Sequence, residues 1–101
     1  MTVTPINAVA KVRFSSARAQ RVHLADAGTA KGELLCLEGG QEMSLSGPSA
    51  LLYVISGAGT VLQGDVRTPL ATGHLLEVQA DVKLANLSEH RLICLLMHTG
   101  G

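Results

Sequence analysis

Along most of the chain, short apolar runs alternate with polar turns punctuated by glycine. Runs of strand length occupy residues 33–37, 50–55, 60–63, 75–78, 82–87 and 91–97. Between them stand Gly28, Gly32, Gly39-Gly40, Gly47-Pro48, Gly57, Gly59, Gly64-Asp65 and Gly73. Runs this short and this evenly spaced, with no helix-length period after residue 25, predict an antiparallel β-sandwich or barrel. The Gly64-Asp65 step between Val61-Leu62 and Val66 predicts a hairpin, because glycine supplies the positive φ of a tight turn. A further strand-like stretch covers residues 21–25.

Length sharpens this picture. At 101 residues the chain holds one core. The division expected is an N-terminal arm with the first strand over residues 1–25, followed by the barrel over 26–101. Of all residues 47% are apolar, yet Phe14 and Tyr53 are the only aromatic ones. A core of Leu, Val and Ala follows. Eight basic and eight acidic side chains cancel. Disorder is thereby excluded, since it goes with fewer aliphatics and more net charge. Nucleic-acid binding is not expected either, without a basic excess or stacking aromatics.

Charge is uneven along the chain. Lys11, Arg13, Arg18 and Arg21 precede the first acid, Asp26, and from Asp26 onward four basic residues face eight acids. The arm reads either as a solvated face or as a basic segment that docks on an acidic surface, such as a second subunit. The longest uncharged stretch, residues 43–64, is broken by Ser, Gly and Pro and does not suit a membrane span. No secretory signal is readable at the N-terminus, so a cytoplasmic location is expected. Cys36 and Cys94 each sit in an apolar run, outside any C-x-x-C pair. They read as two buried thiols, the alternative being one disulfide between neighbouring strands.

Residues 35–62, LCLEGGQEMSLSGPSALLYVISGAGTVL, resemble the first motif of the small single-domain cupins of the RmlC-like superfamily. An apolar strand ends in a Gly-Gln turn, a polar loop follows, and then a Tyr-Val-x-x-Gly-x-Gly strand and turn, here Tyr53, Val54, Gly57 and Gly59. The family's second motif, laid from Gly73, puts its Pro, Gly, His and Asn slots on Gln79, Asp81, Leu84 and Ser88. The resemblance implies an all-β fold, a small double-stranded β-helix or jelly-roll barrel with a short N-terminal arm.

It also implies a metal site that these residues do not supply. Cupins place two His and a Glu in the first motif and one His in the second, a donor set suited to Fe, Mn, Ni, Cu or Zn. Here those slots carry Ser44, Ser46, Ala50 and Leu84. No His, Asp, Glu or Cys occurs between Met43 and Gly64, so a small shift of register restores nothing. No metal and no cofactor are expected. His23, His74, His90 and His98 read as surface or hydrogen-bonded imidazoles; only His23 lies in a strand-like stretch that could face a core or a subunit. A relocated site from Glu89, His90 and His98 is not required by their spacing.

Other chemistry is equally sparse. Ser44, Ser46, Ser49 and Ser56 have no His in their segment to activate a hydroxyl. Glu77 reads as an outward strand residue, or else as an acid inside the barrel. Gly57-Ala58-Gly59 precedes no helix and is a turn, not a phosphate loop. No residue is assigned a catalytic role.

The resulting expectation is a metal-free cupin-fold protein, homodimeric, that binds a small neutral or apolar molecule or serves as a regulatory module. Its ligand cavity would be lined by Leu52, Val54, Leu76, Leu84 and Ala50, with Ser44, Ser46, Tyr53, Glu77 or Gln79 near the mouth. The alternative is an isomerase- or dioxygenase-like enzyme using relocated or non-metal residues, Glu77 or Tyr53 among them.

Overall fold

A computed structural model describes residues 5–47, 49–79 and 81–99. Among them are one turn of 3₁₀ helix, Ala8–Lys11, and nine strands. The strands are β1 Gln20–Ala27, β2 Ala30–Leu37, β3 Glu42–Leu45, β4 Ala50–Ser56, β5 Ala58–Gln63, β6 Val66–Ala71, β7 Leu75–Val78, β8 Val82–Ala85 and β9 Leu92–Thr99. They form a five-stranded sheet, ordered β1-β2-β9-β4-β7, and a four-stranded sheet, ordered β3-β8-β5-β6. Every pairing is antiparallel. The all-β barrel with an N-terminal arm is therefore the observed architecture.

Register decides which side chains meet. Leu35 pairs with Cys94, which pairs with Val54, and Leu96 pairs with Leu52, which pairs with Leu76. In the second sheet, Met43 pairs with Leu84, which pairs with Val61. Directly paired residues project to the same face. The inward faces of the two sheets thus bring Leu35, Leu37, Leu45, Leu52, Val54, Val61, Leu84, Leu92 and Cys94 into one buried cluster.

The two glycines of the Tyr-Val-x-x-Gly-x-Gly pattern have separate reasons. Gly57, between β4 and β5, has φ of 103°, and a Cβ there would run into the carbonyl of Arg91. At Gly59 a Cβ would come within 2.7 Å of the Leu92 side chain. Both let the β4–β5 corner close against the start of β9. The Gly64-Asp65 step forms the expected two-residue hairpin, with Gln63 opposite Val66.

Several boundaries differ from the sequence expectation. The division at 25/26 falls inside β1, which stays paired with β2 through Ala27. β6, VRTPLA, buries only Leu70 and sits at a sheet edge, so it carries no hydrophobic run; the edge also accommodates Pro69, which lacks an N–H. β9 continues to Thr99, two residues beyond the apolar run.

The arm lies on the outer face of the five-stranded sheet. Gln41 Nε2 donates to the Ser15 carbonyl at 2.6 Å, and Arg91 stacks 4.4 Å from the centre of the Phe14 ring. The Arg13 backbone is within hydrogen-bonding reach of Cys36. Cys36 and Cys94 are both buried free thiols. They sit on opposite faces, because Cys36 pairs with Ile93 while Cys94 pairs with Leu35. The buried-thiol alternative is the one realised.

Candidate ligand site at the polar end of the barrel

The aliphatic cavity expected inside the barrel is filled. Leu52, Val54 and Leu84 have no exposed surface, and Leu76 packs against the same cluster. Small aliphatic side chains from two facing sheets interdigitate to the density of a solid core and leave no room for a ligand among them.

Strand alternation turns Tyr53, Glu77 and Ser44 away from the barrel interior. Tyr53 and Glu77 stand on the outer face of the five-stranded sheet, opposite Leu75 and Leu51 respectively, and both are exposed. Gln79 is exposed; its amide donates to Glu77 Oε1 at 3.3 Å and its carbonyl accepts from Gln63 at 3.2 Å. Ser44 pairs with Lys83 and faces outward, since its neighbours Met43 and Leu45 face inward. Of the residues expected at a cavity, Ser46 and Ala50 line the inner one, Ser44 and Ser46 an open groove beside it, and Ala50 and Glu77 a shallow concavity on the outer face.

The inner cavity lies at one end of the barrel. It is small, about 40 Å³, and is bounded by Arg21, Leu45, Ser46, Ala50, Val78, Leu96 and His98. The extension of β9 creates its polar wall. His98 follows Leu92, Cys94 and Leu96 at intervals of two and so shares their inward face. It pairs with Ala50 on one side and Lys31 on the other. One step along β2 from Lys31 on that face is Glu33, whose cross-strand partner on β1 is His23.

Glu33 is the hub. Its Oε2 accepts from Arg21 Nη2 at 2.5 Å and from Arg21 Nε at 3.1 Å. His98 Nε2 lies 3.5 Å from the same oxygen. The Glu33 side chain is 17% exposed and that of His98 20%, so both are largely withdrawn from solvent. Burial pushes the Glu33 carboxyl up, but the Arg21 hydrogen bond and charge, with the nearby His98, outweigh it and leave the group below the ordinary glutamate range. His98 Nε2 is buried without a hydrogen-bond partner among the described residues. A buried polar atom left so marks a place where a proton, a water or a ligand atom is called for.

A second concavity adjoins the first through Leu45 and Ser46. This open groove of about 550 Å³ runs past Ser44, Leu62, Gly64, Asp81, Val82 and Lys83. Its size suits a small metabolite, whereas the inner cavity holds only a single small group.

The other histidines stand apart. His74 Nδ1 accepts from the Ala71 N–H at 3.0 Å, a local turn contact. His23 is exposed and lies 3.5 Å from Asp26. The His90 carbonyl accepts from Asn86 Nδ2 at 2.6 Å. Among the described residues, no three His, Cys, Asp or Glu side chains come together as a metal would require. The inward positions of β3 and β8 are Met43, Leu45, Val82 and Leu84. A cupin-type metal does not fit that donor set.

Asn86 explains part of the second motif. It is fully buried, donates to the Leu37 and His90 carbonyls, and accepts from Ser88 N–H and Oγ. It fixes the 86–91 loop two residues before the slot assigned to Ser88. A shift of two preserves the face of a strand, so the motif's His slot moves from Leu84 to Val82, another buried aliphatic.

Arg21, Glu33 and His98 lie far apart in the chain and are separately unremarkable in sequence. The one signal available was Glu33, an acid that interrupts an otherwise apolar strand beside Leu34–Leu37.

No family model matches the chain, and no curated protein matches it. Solved structures do. The chain superposes with a TM-score of 0.87 on a conserved protein with a double-stranded β-helix domain from Klebsiella pneumoniae, 20% identical over 99% of this chain and 92% of that one. It superposes with a TM-score of 0.79 on a cupin superfamily protein from Desulfitobacterium hafniense, 14% identical over 100% and 94% of the two chains. An RmlC-like cupin from Desulfovibrio desulfuricans gives 0.77, at 18% identity over 94% and 96%. The chain has the cupin fold, the double-stranded β-helix that its turns and strands resemble. Among the described residues, no helix is long and apolar enough to cross a membrane.

Proposed function

We propose that this cupin-fold protein is a homodimeric small-molecule-binding module that works without a metal, and that its ligand is a small carboxylate-bearing metabolite. The carboxylate enters the inner cavity beside Ser46 and His98, and the body of the molecule lies in the groove over β3 and β8. The observation that carries this reading is the orphaned His98 Nε2 at the wall of a cavity whose other polar members are Arg21 and Ser46. The Arg21 guanidinium and the Ser46 hydroxyl at the cavity wall are the donors from which a carboxylate accepts hydrogen bonds. A neutral apolar ligand finds no place inside the barrel, because the aliphatic interior is packed.

Thermal denaturation across a panel of small mono- and dicarboxylates and their neutral amides tests this. Carboxylates should raise the melting temperature at millimolar concentration and the amides should not, because a ligand bound only by the folded state stabilises by mass action. Ser46→Tyr, which plugs the cavity from its rim, should abolish the shift. No carboxylate raising the melting temperature would contradict the reading.

One observation favours an enzyme instead. A carboxylate anchored by an arginine and set against an imidazole is the arrangement that orients a general base. Exchange of solvent deuterium into carbon positions next to a carbonyl, lost in His98→Gln, would support that reading.

A further inference from the structure

The groove over β3 and β8 carries charges of its own. The β3–β8 ladder ends at Leu45 opposite Val82, so antiparallel register brings the next residues, Ser46 and Asp81, beside one another. Both line the groove, and Ser46 also lines the inner cavity. The charged side chains over the groove are Asp81 and Lys83. Lys83 is committed, because its Nζ lies 3.2 Å from Glu42 Oε1 on the neighbouring strand. Asp81 is exposed and makes no ion pair among the described residues. Between the charges the groove is apolar, with Leu45, Leu62 and Val82 along it.

We propose that the carboxylate-bearing ligand is an α-amino acid with an aliphatic side chain. This rests on the carboxylate reading above and names the substrate class of the same site. The orphaned His98 Nε2 marks the carboxylate end and Asp81 marks the other. A carboxylate in the inner cavity sits beside Ser46, which leaves the carbon next to it at the rim where cavity and groove meet. Side chains directly opposite on paired strands stand about 5 Å apart. An ammonium group on that carbon therefore comes within reach of the Asp81 carboxylate. An amine further along the molecule would instead lie over the apolar stretch. The side chain runs over Leu45, Leu62 and Val82, where covering aliphatic surface is favourable. A dicarboxylate suits the groove less well, since Asp81 would repel its second charge and Glu42 already neutralises Lys83.

Titration of the wild type at pH 7, read from the His98 imidazole nitrogen resonances, tests the assignment. The probes are leucine, isocaproate (leucine without its amine) and leucinamide, which lacks the carboxylate. Leucine should reach half-saturation at a roughly fivefold lower concentration than isocaproate, the upper range for an exposed ion pair. Leucinamide should leave the resonances in place. Asp81→Asn should erase the preference for leucine while still binding isocaproate. Equal binding of leucine and isocaproate to the wild type, or a preference that survives in Asp81→Asn, would overturn the amino-acid assignment alone. Succinate binding more tightly than leucine, with the gain lost in Lys83→Gln, would overturn it in favour of a dicarboxylate. If neither leucine nor isocaproate moves the His98 resonances, the carboxylate reading falls and this one with it.

Discussion

His98 Nε2 faces Glu33 Oε2 at 3.5 Å, across two neighbouring strands and beside a cavity that neither residue fills. The relationship exists because β9 runs to Thr99 and keeps its period of two. It gives a largely aliphatic barrel one polar end.

The pair has a pH signature. The Glu33 carboxyl is held below its ordinary value of 4.5. A carboxylate depressed by folding contributes stability above its unfolded pKa and loses it as pH falls through the folded one. Wild-type stability should therefore decline from about pH 4.5 downward more steeply than that of Glu33→Gln, in urea denaturation at successive pH values. Parallel declines would show that Glu33 is not stabilised in its charged form.

The cysteines should be silent in the native protein. Burial pushes the Cys94 thiol up to about 12, with Cys36 adding to the effect, and burial also raises Cys36. The thiolate is the reactive form. An aromatic disulfide reagent at pH 8 should label neither thiol in the folded state and both in guanidinium, counted by mass spectrometry. Fast labelling of either native thiol would contradict their placement.

Asn86 should be the costliest polar residue to remove. Asn86→Ala deletes the donor to two carbonyls and the acceptor for Ser88, at a position with no exposed surface. A loss of about 2–3 kcal/mol is expected from unsatisfied buried groups, read by urea denaturation. Leu52→Ala, which opens a cavity in the core, should cost about 2–5 kcal/mol. A change under ~0.5 kcal/mol in either would mean that the residue is not packed as described.

How far the chain foretells this structure depends on the length scale of each feature. Turns and buried strands are local, and Gly57, Gly59, Gly64 and the runs around Leu35, Leu52 and Leu84 announce them. Strand parity in the polar loop is harder: Ser44 looks like a cavity residue until the inward positions are found at Met43 and Leu45. Tyr53 and Glu77 fall on the outer face for the same reason, since one step along a strand reverses a side chain. The polar end was out of reach because it joins β1, β2 and β9. No single window of sequence contains Arg21, Glu33 and His98, and the polar His98 follows an apolar run that ends at Met97.

The central claim is that a carboxylate binds beside His98, and imidazole nitrogen NMR of the wild type tests it most directly. On titration with acetate at constant pH and ionic strength, the His98 nitrogen resonances should move saturably. Those of His74, tied to the Ala71 N–H, and of exposed His23 and His90 should stay in place. Four histidines that shift together, or a His98 that does not move, would contradict the account.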